Sequence, residues 1–364
     1  MKMKSASEPG SLSANGGEAA GQKKKNSGAA KFQGILWLSV VLLAVTFIAS
    51  LALGRYSVPF GETIRILLAK LHIPLSQTWD NLQEAVVLTL RLPRAVVAIV
   101  IGSSLALSGA SYQSIFKNPM VSPDLLGVSS GACVGAALAM LFSLGSAMIQ
   151  VSAFAAGLAA VGLTVTIPRL IRNDSTIALV LSGIVVGSLM GSILAIIKFV
   201  ADTDLKLAEI TYWTMGSFAT VTFGKMLPVL PTIIIPVIII LLMRFRLNVL
   251  SLGDNEARTL GINLRATRNA FIVCSTLITA SCVCLSGTIG WVGLIIPHVA
   301  RMLIGPDNKK MLPIAMLFGG IFMLVIDTLC RTINSAELRL GILTGIIGAP
   351  FFIFILVKQR RQIR

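Results

Sequence analysis

The chain reads as an all-α, polytopic membrane protein of about ten transmembrane helices, and three observations carry that reading. Hydrophobic residues fill 55% of the 364 positions, while charged residues fill only 13%. Mean hydropathy is +0.86, leaving too little polar surface for a soluble chain of this length to cover its core. The apolar residues also fall in continuous runs rather than alternating, which favours spanning helices over barrel strands.

A spanning helix needs about 20 predominantly apolar residues. Runs of that kind lie near 35–53, 94–113, 124–143, 148–167, 177–200, 226–243, 268–286, 289–304, 312–331 and 340–357. The stretch 289–304 is the shortest and is interrupted by Pro297, with His298 and Arg301 following. Residues 1–33 are rich in Ser, Gly, Ala and Lys without apolar periodicity, so a disordered basic tail is expected there. The run that follows is long enough to span and lacks a small-residue cleavage site, which argues against a removed leader. Residues 34–358 then form one transmembrane domain, with a polar loop at 247–267 and a short tail at 359–364.

An even number of spans places both termini on one side, and the charges say which. Roughly two thirds of the 31 Lys and Arg lie in the tails and the loops of that side. Lys23–Lys25, Arg244, Arg246, Arg258, Arg265, Arg268, Arg360 and Arg361 are therefore expected in the cytoplasm. The net charge of +16 reads as membrane orientation. Nucleic-acid binding is disfavoured, because no basic stripe is interleaved with aromatics.

Catalytic chemistry finds little support. There is no glycine-rich phosphate loop ending in Lys-Ser or Lys-Thr, so ATP hydrolysis is not expected on this chain. His72 and His298 are far apart and lack carboxylate company, so no metal site and no cofactor is expected. The five cysteines fall in predicted spans and read as small packing residues. Asp327 is the acid that sits clearly within a span, and Arg331 follows one helical turn later, a spacing that lets the two pair on one face. Few intramembrane acids count against an ion-coupled secondary transporter, which stays as the alternative. Gly183, Gly187 and Gly191 repeat at intervals of four, as do Gly341, Gly345 and Ala349. Both stripes suit close helix packing, within the subunit or along a dimer axis and translocation path.

Several short segments occur in a fixed order. Arg91-Leu92-Pro93-Arg94 opens the second span, and Gly109-Ala110, Asn118-Pro119, Pro123 and Leu126-Gly127-Val128-Ser129 follow. Later come Gly290-Trp291-Val292-Gly293-Leu294, Pro297-His298, Arg301, Asp327, Arg331, Glu337-Leu338, Gly341, Thr344 and Gly348-Ala349-Pro350. As an ordered set across residues 35 to 357 they resemble the FecCD family of binding-protein-dependent permeases, which import ferric siderophores, haem and cobalamin. The chain departs from that pattern in its long N-terminal tail, in Trp291 where Phe is commoner, and in Arg339 where Pro is frequent.

The resemblance implies an ABC importer permease fold of ten helices in a bacterial inner membrane, both termini cytoplasmic. Implied partners are a second permease subunit, two cytoplasmic ATPase subunits and an extracytoplasmic substrate-binding protein. The implied cargo is an iron chelate, with ferric siderophore ahead of haem or cobalamin. Residue by residue, it places Arg91, Arg94 and Arg331 at the outer face to receive acidic residues of the binding protein, a role suited to the guanidinium fork. It makes Asn118, Met120, Thr176 and Ile177 an inner gate. It also makes the segment containing Leu252, Gly253, Glu256, Ala257, Leu260 and Gly261 a coupling helix for the ATPase. Asp254 is expected as the N-cap of that helix and Gly261 as its end.

Overall fold

The computed structural model describes residues 14–362 apart from 75, 174, 203, 204 and 335. Among these residues every regular element is helical. Ten apolar helices follow the predicted runs: α1 (Ala14–Ala52), α2 (Leu92–Ile115), α3 (Val128–Leu141), α4 (Ser146–Leu170), α5 (Thr176–Val200), α6 (Leu230–Leu242), α7 (Leu264–Ser286), α8 (Val292–Ile304), α9 (Asn308–Ile333) and α10 (Leu340–Gln362). Among the described residues six continuous helices are long and apolar enough to cross a membrane, and α6 with Arg244–Leu252 reaches that length and hydropathy only as a pair bent by 56°. The apolar part of α10 is shorter, as are α3 and α8.

The short helices have local causes. A 3₁₀ turn over Pro123–Leu126 takes the start of the third run, and Gly127 at φ +80° then restarts the chain as α3. Trp291 at φ +72° and Gly305 at φ +94° bound α8. The bend after α6 falls at Met243, where an isoleucine-rich run meets Arg244 and Arg246.

The fold corrects the expected tail. α1 begins at Ala14, so residues 14–33 are helical where disorder was expected. Ala, Glu, Gln and Lys are good helix formers, and a helix already formed in the apolar run extends through them without a second nucleation step. Residues 1–13 of the tail, and 363 and 364 at the other end, lie outside the described residues. Residues 359–362 continue α10 rather than forming a separate tail.

α2 is the centre of the bundle, buried almost without interruption from Pro93 to Ile115. Small residues make that possible, because without an aqueous driving force membrane helices associate through close packing. A Cβ added at Gly102 would lie 2.1 Å from the carbonyl oxygen of Gly319 on α9, and one at Gly109 would lie 1.9 Å from that of Gly293 on α8. Hydroxyls complete the contacts: Ser103 donates to the Met316 carbonyl at 2.8 Å, and Ser108 lies 3.1 Å from Thr279 of α7. Between α1 and α2 the chain makes an excursion the hydropathy pattern did not mark. The helix Phe60–Lys70 folds against Trp79 and Val87 through Ile66, as a small cluster of its own.

Candidate functional site

The bundle has two charged ends. The N-terminal end of α2 and the C-terminal ends of α1 and α9 meet at one face, and there the arginines predicted for docking are found. The carboxylate of Asp327 is fully buried on α9. Its Oδ1 accepts a hydrogen bond from Arg94 Nε at 2.6 Å, and its Oδ2 lies 3.1 Å from Arg331 Nε in an ion pair. Arg94 also reaches Glu337, Nη1 to Oε2 at 3.1 Å. Arg91 turns to the end of α1, donating to the carbonyls of Leu51 (2.7 Å), Ala52 (2.8 Å) and Tyr56. Arg331 donates to the carbonyl (3.0 Å) and hydroxyl (2.9 Å) of Ser50. Gly54 leaves room for this, since a Cβ there would lie 2.5 Å from Arg91 Nη2.

Arg91, Arg94 and Arg331 therefore come together as expected but face inward, each 6–8% exposed. The reason is local: the last carbonyls of a helix have no intrahelical donors, and a buried carboxylate needs counter-charge. The Arg94–Glu337 link reaches solvent, with the Glu337 side chain 30% exposed.

The opposite face is the basic one. α2 ends at Phe116, and Lys117 at φ +50° turns the chain toward Asn118 and Met120, both exposed. The Asn118 side chain accepts from the Met120 backbone N–H at 2.9 Å, so this segment is a side-chain-stabilised turn. Ser175 caps α5 by accepting from Ala178 N at 3.2 Å, which sets Thr176 half-buried and Ile177 exposed at the helix start. Both candidate gate segments thus lie at this end. Thr176 lines a cavity of about 570 Å³ together with Phe116 and Asp254.

The coupling segment is two helices, Arg244–Leu252 and Asp254–Thr259, joined at Gly253. Its cap differs from expectation. Gly253 occupies the cap position and Asp254 is the first helical residue. The Asp254 carboxylate is drawn away to Lys117 Nζ (3.2 Å) and Arg268 Nη2 (2.7 Å), ion pairs that outcompete a backbone cap. Partial burial works against its ionised form, but hydrogen bonds and charge from Lys117 and Arg268 outweigh that and hold the carboxyl below its usual range. Ala257 is fully buried, whereas Leu252 and Leu260 are 67% and 61% exposed and Glu256 is exposed beside them. Gly261 ends the segment at φ +72°, its N–H donating to the Arg258 carbonyl at 2.9 Å.

The glycine stripes divide by position. On α5, a Cβ at Gly183 would lie 1.9 Å from the Leu125 carbonyl oxygen, one at Gly187 would just touch Ser130, and one at Gly191 would meet nothing. The tight end packs on the chain itself, and the open end leaves exposed apolar neighbours such as Leu189 and Ile196. On α10, Gly341 approaches the Met215 carbonyl (2.7 Å from a Cβ) and Gly345 lies near Trp291 Nε1 (3.8 Å), so both serve packing inside the subunit.

One feature escaped the sequence reading. At the arginine-cluster face a cavity of about 530 Å³ is lined by Gln150, Glu209, Tyr212, Lys225 and Arg339 among others. Arg339 stacks 4.7 Å over the Tyr212 ring. These residues are far apart in the chain, and only Arg339 stood out, as a departure from the usual pattern.

The model of the FecCD transport family matches residues 42–358. The chain belongs to the FecCD transport family. It is 37% identical over 327 residues to the molybdate import system permease protein MolB of Haemophilus influenzae, covering 90% of this chain and 96% of that one. It is 38% identical over 283 residues to the hemin transport system permease protein HmuU of Yersinia pestis, covering 76% and 84%. Among solved structures, a chain described as a "metal-chelate type ABC transporter" in "an inward-facing conformation" matches at a TM-score of 0.79 and 35% identity. That match covers 90% of this FecCD chain and 99% of the solved one.

Proposed function

We propose that this chain is the permease subunit of an ATP-driven importer in a bacterial inner membrane, with both termini cytoplasmic and an iron chelate, foremost a ferric siderophore, as cargo. The observation that carries this reading is the family match across the whole helical domain, residues 42–358. Relatives bearing the names hemin transport and iron chelatin transport permease support the cargo class. The doubly clamped Asp327 counts against the ion-coupled alternative. Its two oxygens are engaged by Arg94 and Arg331, so this carboxylate is not open to a coupling ion.

In this reading a second permease subunit packs at the open end of α5, around Gly191. The path closes on the basic face at Asn118, Met120, Thr176 and Ile177. Leu252 and Leu260, apolar and exposed on one short segment, enter a groove of one of two cytoplasmic ATPase subunits. An extracytoplasmic binding protein docks at the other face, where an acidic side chain replaces Glu337 on Arg94. Arg91 and Arg331 hold the end of α1 beneath it.

A second cargo has an observation of its own. The relative MolB is named for molybdate, and the outer cavity carries Arg339 and Lys225 against Glu209, a balance that favours anions. Reconstitution with the ATPase and binding protein decides both points. ATP-dependent uptake of a ferric siderophore in preference to haem, cobalamin and molybdate is expected. Preference for molybdate selects the second cargo, and uptake driven by a proton gradient without ATP overturns the importer reading.

A further inference from the structure

The basic-face cavity does not end at the gate. Its walls carry Arg169 from α4, Arg258 from the coupling segment, and Arg265 and Arg268 from α7, against the single carboxylate of Asp254. Asp254 is already engaged by Lys117 and Arg268. Arg268 Nε is buried and has no hydrogen-bond partner among the described residues. A buried donor left unmade costs free energy, so an acceptor belongs there.

A second cavity of about 400 Å³ continues from the first, and the two share Val165, Arg169, Asn269 and Ile272. It runs between α4 and α7 past Leu158, Val161, Val273 and Leu277, and its lining is mostly apolar beyond Arg169 and Asn269. From Arg265 to Leu277 a helix rises about 18 Å, close to half the roughly 30 Å hydrocarbon core, which is one leaflet. A cationic pocket at the membrane surface thus opens into an apolar groove one leaflet deep.

We infer that these joined cavities hold an anionic phospholipid of the leaflet on the basic face. Its phosphate sits among Arg169, Arg265 and Arg268, and an acyl chain lies in the α4–α7 groove. The charge of the pocket, the orphan Arg268 Nε and the length of the groove each fit that molecule, and basic pockets between spanning helices suit anionic headgroups. The occupant touches Thr176 and the coupling segment together, so its presence ties the gate region to the ATPase-facing helices. The identity of the leaflet as the cytoplasmic one, and the roles of gate and ATPase-facing helices, rest on the function proposed above.

The test counts lipid on the purified full-length chain by native mass spectrometry in micelles of mixed phosphatidylcholine and phosphatidylglycerol. The wild type is expected to retain phosphatidylglycerol preferentially. Arg169→Gln with Arg265→Gln removes two surface cations and is expected to lower that retention by about thirtyfold. Gly162→Leu tests the groove separately. Gly162 lines it and a Cβ there meets nothing within 4 Å, so a side chain added at this position starts into the open groove. That variant is expected to lose the lipid as well, with an unchanged elution profile showing that it folds. Equal retention of the two lipids, or retention unmoved by either change, overturns the proposal. Displacement by millimolar inorganic phosphate with Gly162→Leu silent overturns it in favour of a small-anion site. Because uptake is not the readout, failure of the transport reading and failure of this one are told apart.

Discussion

The two charged ends of the molecule use the same residue types for opposite purposes. At the arginine-cluster face, Arg91, Arg94, Arg331 and Asp327 are each at most 8% exposed and are turned onto one another or onto the carbonyls of α1. At the basic face, the Asp254 side chain is 43% exposed and its partners Lys117 and Arg268 are 38% and 25% exposed. Charge in a dry environment cannot be left unpaired, so the first cluster pins three helices together. Charge near water is screened and exchangeable, so the second holds its neighbours less firmly.

The largest expected effect follows from the dry cluster. Asp327→Ala leaves Arg331 without a counter-charge and Arg94 with only the partly exposed Glu337, and removing one partner of a buried pair costs about 3–5 kcal/mol. A marked fall in thermal unfolding temperature of the detergent-solubilised chain is expected. Asp327→Leu combined with Arg331→Met should recover much of it, because the stranded charge goes too. Full stability of Asp327→Ala would show that the cluster does not pin the helices.

An intermediate effect separates packing from interface along α5. Gly183→Leu forces a side chain into the Leu125 carbonyl and is expected to destabilise the subunit by about 1–3 kcal/mol or more, as overpacking does. A Cβ at Gly191 meets nothing within 4 Å, and Gly191→Leu is expected to leave the isolated subunit unchanged while weakening the proposed dimer, read by cross-linking. Equal effects of the two on unfolding would erase the distinction.

The smallest effect belongs to the wet cluster. The folded-state pKa of Asp254 is lowered from 3.8. Its contribution is therefore fully present above that value and is lost as pH falls through the lower, folded one. Being 43% exposed, it is worth at most about 1 kcal/mol. Asp254→Asn is expected to change stability little at neutral pH and to remove an acid-sensitive component below pH 3.8, seen in unfolding curves against pH. A loss as large as that of Asp327→Ala would collapse the contrast between the ends.

Much of this was legible beforehand. Ten runs of apolar residues became ten helices because lipid obliges every backbone polar group to be satisfied within its own segment, and such runs are visible in one dimension. The Asp327–Arg331 pairing was legible for the same reason, being one helical turn apart. The start of α1 was not: residues 14–33 lack apolar periodicity, and their helix follows from continuity with the span behind them.

Sequence alone determined the membrane class, the order of the apolar helices and the family, because each depends on local composition or on motifs in order. Tertiary structure decided which way the side chains face. Arg94 reaches Asp327 across 233 positions, and Asp254 abandons its cap for Lys117, 137 positions away. The burial of the arginines, the open end of the α5 stripe and the joined cavities between α4 and α7 likewise depend on which helices become neighbours. Neighbours in space set both the dielectric and the available partners, and neither is written in the order of residues along the chain.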